Sequence, residues 1–196
     1  HMREVDAICE VVRCFDNQTS LHVENDIDPI RDIEIVNVEL MLADLEVVAN
    51  KIDKLIKKAV NPNEKEAIKE LEILQRAKAD LEKNIPLRLT GYTKEEHKIL
   101  KPYNFLSLKP IIYVANVEEK EINNYKNKYV MLVEEYAKKD KAEVTIICAK
   151  IESELSELSD EDKYIYLNEL GTKESGLDKL IKITYAILNL ATFFTG

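Results

Sequence analysis

The chain has 196 residues, 45% of them apolar and 33% charged, and its 37 acidic and 28 basic side chains give a net charge of −9. That length holds one compact domain with an appendage, or two small domains. The acidic balance argues against broad nonspecific nucleic-acid binding, though a local basic patch is compatible with it. Only 4 Gly and 5 Pro point to few tight turns and much helix. Cys9, Cys14 and Cys148 form no disulfide framework and no CxxC pattern, and His1, His22 and His97 are scattered. Buried thiols in a reducing compartment are the expectation. With no signal peptide and no long apolar span in the sequence, a cytoplasmic protein with no membrane part is expected.

The first predicted element is a strand over Val5–Phe15, VDAICEVVRCF, a nearly continuous apolar run. It suits a central strand, and its position at the start of the chain suggests a piece of a larger domain. Polar loop follows over Asp16–Asp28, with Leu21 and Val23 its only apolar pair. Asp28-Pro29 then opens a helix, Asp as N-cap and Pro in the first turn. From there Val38, Met41, Leu45, Val48, Ile52, Leu55 and Ala59 recur at alternating spacings of 3 and 4. This is the seam of a two-stranded coil rather than a globular face. Asn61-Pro62-Asn63 interrupts it, and Ala67, Leu71, Leu74, Lys78, Leu81 and Ile85 carry the period onto a second helix. The pair predicts an antiparallel hairpin with arms of roughly 35–45 Å, if each runs about 25–30 residues.

Inside this arm Asn50-Lys51-Ile52-Asp53 matches the NKxD base-reading motif of GTPases. The heptad phase puts Ile52 in the seam and Asn50 and Asp53 on the outer face. No Gly or Pro ends a strand there, and Lys54–Ala59 keeps the helical period. The match is therefore read as chance.

Thr93 and Glu96 mark a capping box and a short helix that ends before Pro102. After Lys109-Pro110, Ile111–Ala115 is an unbroken apolar or small run that stops at Asn116. That pattern predicts a strand buried on both faces, as in a parallel sheet. Ligands of open α/β sheets sit at the carboxyl ends of such strands. Asn116 stands at that end, with Glu119 three residues on. Nucleoside-triphosphate switches read a base with such an Asn-x-x-acid, the amide fixing a loop and the acid accepting from the base edge. A plain strand-to-helix loop fits the same residues, since Asn and Glu are also cap residues.

A helix is predicted from about Tyr125 to Lys138, with Tyr129, Leu132, Val133 and Tyr136 on one face. The next strand, Val144–Cys148, ends at Cys148-Ala149-Lys150. Ser159 opens a helix over Asp160–Leu170 that stops at Gly171. The last helix starts near Gly176, with Leu177, Leu180, Ile181, Thr184 and Leu188 as its buried stripe. Leu190–Gly196 reads as the exit toward a segment outside the chain. This order describes an α/β parallel-sheet domain (1–27 and 104–190) interrupted by a helical coiled-coil insertion (28–103), with 191–196 starting a linker.

Several segments carry a family likeness: Arg3–Ile8, Val11–Phe15, Asp28-Pro29 with Asp32-Ile33-Glu34, Glu39-Leu40 with Ala43-Asp44, Leu108–Pro110, Asn116–Glu119 and Phe193–Gly196. Together they resemble the Obg-like ATPase (YchF) subfamily of P-loop nucleoside triphosphatases over essentially the whole chain. The resemblance implies the back half of a P-loop NTPase sheet carrying an antiparallel coiled-coil arm, with a ubiquitin-like TGS domain to follow. It also implies an ATP-preferring hydrolase, with GTP as the other candidate nucleotide, that is linked to the ribosome and translation; a monomer is expected. The family's Gly-rich phosphate loop and acidic switch turn are missing, since no GxxxxGK[ST] exists here. The chain is therefore expected to read a base without holding phosphates or Mg²⁺, and to be inactive alone. No catalytic side chain is assigned.

By the same resemblance the base site comprises Asn116, Val117, Glu119, Cys148, Ala149 and Lys150. The Asp of NKxD accepts from guanine N1–H and N2–H₂. Adenine has no donor at N1, so that Asp would be left unsatisfied at a cost of roughly 1–3 kcal/mol. Here the acid is the longer Glu119 and the Lys position is Val117, whose main-chain N–H and C=O complement adenine N1 and the 6-amino group. Cys148-Ala149-Lys150 takes the place of a Ser-Ala-Lys loop over the base, and Lys150 is either packed on the purine or a surface lysine. The competing reading is a non-catalytic interaction module whose hairpin docks ribosome, RNA or protein. In that reading Lys51, Lys54, Lys57 and Lys58 touch rRNA phosphates.

Overall fold

A computed structural model describes residues 6–16, 27–124 and 126–195, with side chains as far as residue 189. The Leu21/Val23 pair and Tyr125 lie outside the described residues. The chain divides into two compact units, one built from Glu34–Pro110 and the other from Ile111–Asn189 with the strand segment that begins at Cys9.

In the second unit three strands, β1 (Ile8–Arg13), β2 (Ile111–Asn116) and β3 (Glu143–Ile147), form a sheet in that order. β2 and β3 are parallel, with Ile112 opposite Glu143 and Asn116 opposite Ile147. β1 runs the same way, since the Ile8 N–H donates to the Pro110 carbonyl and the Cys14 N–H to the Asn116 carbonyl. β2 is the middle strand, and every residue from Ile111 to Ala115 is buried. On one face Ile112, Val114 and Ile147 meet Leu180, Ile183 and Ile187 of α7 (Gly176–Thr195). On the other face, Tyr113 donates its hydroxyl to Asp140 at the C-terminal cap of α4 (Lys128–Lys139).

β1 carries the apolar run that suits a central strand of a larger domain. It is an edge of the described sheet, with Glu10 and Val12 buried, Cys9 exposed and Val11 63% exposed. An apolar run shows that both faces tolerate burial, but not which element covers them. Here α7 packs on β2 and β3 and reaches β1 at Cys9 through Thr184, while Val11 stays exposed.

The helix phases shift for similar reasons. α4 buries Val130, Val133 and Ala137, while Leu132 of the expected face is exposed. Tyr129 turns its hydroxyl to Asp16 Oδ1 at 2.6 Å, and Tyr136 meets the Tyr113 ring edge-on. In α7 Leu177 and Ile181 are exposed, and Ile183 and Ile187 take their place. That helix is apolar on more than one face, so periodicity alone fits two stripes. It also continues to Thr195, past the exit expected at Leu190.

The first unit is helical. α1 (Pro29–Ala59) begins at the expected cap, Asp28 Oδ1 accepting the Arg31 N–H at 3.0 Å. Its 31 residues span about 46 Å. The seam residues Met41, Val48, Ile52 and Leu55 pack with Ala67, Leu74 and Leu81 of α2 (Lys65–Glu82). α2 is shorter than its pattern. Asn84 adopts φ 62°, and the N–H groups of Asn84 and Ile85 bond back to Leu81 and Asp80, a Schellman stop.

Nor is the core a bare two-stranded seam. Ile73 and Ala77 widen the α2 face, and Leu87, Tyr92, Leu100 and Phe105 complete one continuous cluster. α3 (Lys94–Leu100) starts with the predicted capping box between Thr93 and Glu96. The fully buried Asp44 carboxylate accepts the Leu106 and Ser107 N–H groups at 2.8 and 2.7 Å, fixing this third layer to α1. Among the described residues no helix is long and apolar enough to cross a membrane.

Candidate functional site

β2 and β3 end side by side, and the residues just past each strand build a cleft of about 730 Å³. Asn116 is the last residue of β2. Its carbonyl takes the Cys14 N–H at the end of β1, and its side-chain Oδ1 takes the Ala149 N–H at 3.0 Å. One residue thus ties together the carboxyl ends of the three strands. Ala149 does not lie in a loop, as the sequence suggested. It begins α5 (Ala149–Ser156), with Cys148 as the N-cap residue. Cys148 makes no side-chain cap bond, so the Asn116 amide supplies the acceptor that an orphan N–H of this helix end needs.

All six residues expected at the site, Asn116, Val117, Glu119, Cys148, Ala149 and Lys150, line this one cleft. Phe15, Glu118, Lys120 and Leu170 line it as well. Phe15 carries a signal of its own, because it lies two residues past the end of β1 and parallel strands end at a common edge. Leu170 carries none. It arrives from the end of α6 (Asp160–Glu169), held by the Asn123 Nδ2 donating to its carbonyl at 3.1 Å.

Val117 differs from expectation. Its N–H donates to the Ile147 carbonyl at 2.9 Å, extending the β2–β3 ladder by one rung. The main-chain pair expected for adenine N1 and the 6-amino group is therefore reduced to its carbonyl. Register explains the difference, since Asn116 stands opposite Ile147 and the next N–H of a parallel ladder reaches that carbonyl.

At the rim, Lys150 Nζ meets Glu119 Oε2 at 3.3 Å and Lys120 Nζ meets Glu118 Oε2 at 2.8 Å. The second pair raises the Lys120 pKa. Behind the cleft Cys148 is buried with Ile151 and Leu155 against Tyr166, Leu167 and Leu170. A hydrogen bond to Glu154 pushes the Tyr166 hydroxyl up to about 12, so it stays a neutral donor.

Asn50-Lys51-Ile52-Asp53 lies wholly within α1. Ile52 is in the helical core, and Asn50 and Asp53 are on the outer side. Among the described residues no group of three His, Cys, Asp or Glu side chains could hold a metal ion.

No family model matches the chain. It is 47% identical over 197 residues to the ribosome-binding ATPase YchF of Bacillus subtilis, covering 100% of this chain and 54% of that protein. The ribosome-binding ATPase YchF of Haemophilus influenzae is 46% identical over 196 residues, with 53% of its length covered. The chain spans about half the length of these curated relatives. Among solved structures, that of the Schizosaccharomyces pombe YchF GTPase superposes with a TM-score of 0.84 at 32% identity, over 95% of this chain and 51% of that one.

Proposed function

We infer that this chain, homologous along its full length to the YchF group of Obg-like ATPases, supplies the base-recognition end of a nucleotide-hydrolysing domain together with a helical arm. The Asn116–Ala149 hydrogen bond carries this reading, because it joins the two segments expected to enclose a purine at the mouth of one cleft. Segments 1–27 and 104–190 belong to the nucleotide domain, 28–103 to the arm, and 191–196 lead toward a TGS domain. Phosphates and Mg²⁺ are held by residues outside this chain, which has no phosphate loop and does not hydrolyse nucleotide alone. The whole protein is a cytoplasmic, monomeric ATPase that works with the ribosome.

Adenine is preferred through its N7 and 6-amino edge. With Asn116 Oδ1 committed to Ala149, the amide presents its Nδ2 donors, which suit N7. The Val117 carbonyl suits the 6-amino group. Guanine places the acceptor O6 there, and two facing acceptors disfavour it. Lys150 at Glu119 also occupies a carboxylate that guanine would need for itself. The test is calorimetric titration of ATP and GTP into the full-length protein. ATP is expected to bind at least about fivefold more tightly, the effect of one unsatisfied polar group. Equal affinities overturn the reading.

For the arm, the exposed Lys54, Lys57 and Lys58 near the end of α1 favour contact with rRNA phosphates. Lys51 stands apart from them, its Nζ 5.7 Å from the Tyr103 ring centroid. Replacing Lys54, Lys57 and Lys58 with Gln should weaken ribosome binding and flatten its dependence on salt, by nearly one unit of logarithmic slope for each phosphate no longer neutralised. An unchanged slope counts against this contact.

A further inference from the structure

Phe15 is gripped twice by the residue two positions before it. The Arg13 guanidinium lies over the Phe15 ring, with Cζ 4.9 Å from the centroid, and Arg13 Nε donates to the Phe15 carbonyl at 3.2 Å. Arg13 is the last residue of β1 and Phe15 stands two residues on, at a bend, so the contact is local to the point where the strand ends. The remaining Arg13 Nη2 is buried and has no hydrogen-bond partner among the described residues. At Nη2 the guanidinium therefore exchanges hydration for contact with the ring, an arrangement whose clearest product is a fixed Phe15.

We propose that Arg13 is a positioning residue for purine binding: it holds Phe15 as a rigid, polarised platform on which the base stacks. This rests on the reading of the cleft as a nucleotide-base site. The guanidinium lies over the Phe15 ring, and Phe15 lines the cleft. The contact acts in two ways. The ring loses rotational freedom before the base arrives, so less entropy is lost on binding. The cation also draws electron density toward its own side, which makes the opposite surface a better partner for the electron-rich face of a purine. Stacking of a base on an aromatic side chain is indifferent to hydrogen-bond pattern. Phe15 therefore contributes affinity for purines in general, while the Asn116 region discriminates among them.

The experiment is a double-mutant cycle in the full-length protein, read as affinity for ATP and for CTP, whose smaller base stacks less. Arg13→Met is expected to weaken ATP binding roughly three- to tenfold, as for removal of one partly desolvated cation–π interaction. CTP binding should weaken less, so the ATP-to-CTP preference narrows. Phe15→Leu weakens ATP binding at least as much, and Arg13→Met added to Phe15→Leu produces no further loss. Arg13→Lys, which keeps the cation without the planar fork, falls between wild type and Arg13→Met. It also serves in the cycle if Arg13→Met does not fold. Losses that multiply in the double variant overturn the proposal, as does an equal fall for ATP and CTP or an unchanged ATP affinity. Failure of the wild-type protein to bind ATP would instead refute the nucleotide reading.

Discussion

Asn116 Oδ1 accepts the Ala149 N–H at 3.0 Å, across 33 residues of sequence, and so couples the end of the middle strand to the start of the helix after the edge strand. The bond does two jobs. It satisfies a donor at the first turn of α5, and it sets the rotamer of the amide so that its nitrogen is the group left to offer.

Removing that amide has a modest effect on stability and a larger effect on binding. Asn116→Ala should lower unfolding stability by about 1 kcal/mol, the usual cost of one hydrogen bond near solvent. ATP affinity should fall more than tenfold, because one substitution removes a direct contact and frees the α5 end of the cleft. Urea denaturation and calorimetric titration on the same variant separate the two effects. A variant that binds ATP as the wild type does would remove Asn116 from the site.

How far the sequence predicted this arrangement depended on how local the signal was. The Ile111–Ala115 run, the Asp28 cap and the Thr93–Glu96 capping box were legible because each is settled within a few residues. The helical placement of Asn50–Asp53 was legible because the seam runs unbroken through Ile52. α5 went unpredicted since its first turn is capped from a distant residue, which leaves no Ser, Thr or Asp signal at Cys148. Leu132 and Leu177 share a helical period with the residues expected to be buried, but both helices carry surplus apolar residues, so the period fits more than one stripe. The Val117 N–H was assigned to the base because strand register, which commits it to Ile147, is a property of two segments together.

The helical unit depends on Asp44 in a way that no motif announces. Its carboxylate is fully buried and takes the N–H groups of Leu106 and Ser107. Asp44→Ala strands both donors in the interior, and each buried unsatisfied group costs about 1–3 kcal/mol. A loss of roughly 2–5 kcal/mol is expected, near the top of the range for single substitutions. Asp44→Asn should recover part of it, because the amide oxygen still accepts while its NH₂ faces a donor. Chemical denaturation followed by circular dichroism suits a unit that is mostly helix. A loss below about 0.5 kcal/mol for Asp44→Ala, the size of an ordinary surface change, would show that the two N–H groups find other acceptors.

Acid should loosen the same unit at its capping box. Glu96 is a partner of Arg76, with Nη1 and Nη2 donating to its two oxygens at 2.9 and 2.7 Å, and it also accepts the Thr93 N–H at 2.8 Å. The Arg76 hydrogen bonds, then the Thr93 N–H, hold its pKa below the ordinary glutamate value of 4.5. A carboxylate whose folded pKa is depressed contributes stability that is fully present above its unfolded pKa. That contribution is lost as pH falls through the lower folded value, because the unfolded state takes up the proton first. The stability difference between wild type and Glu96→Gln should therefore be constant from neutrality down to about pH 5, then shrink steadily below 4.5. Arg76 also lies over the Tyr92 ring, 4.6 Å from its centroid, so Arg76→Met should lose this stacking in addition and remain less stable than Glu96→Gln even in acid. Thermal melts of the three proteins between pH 3 and 7 decide the matter. A wild-type-to-Gln difference that does not change with pH would mean that Glu96 ionises alike in the folded and unfolded chains.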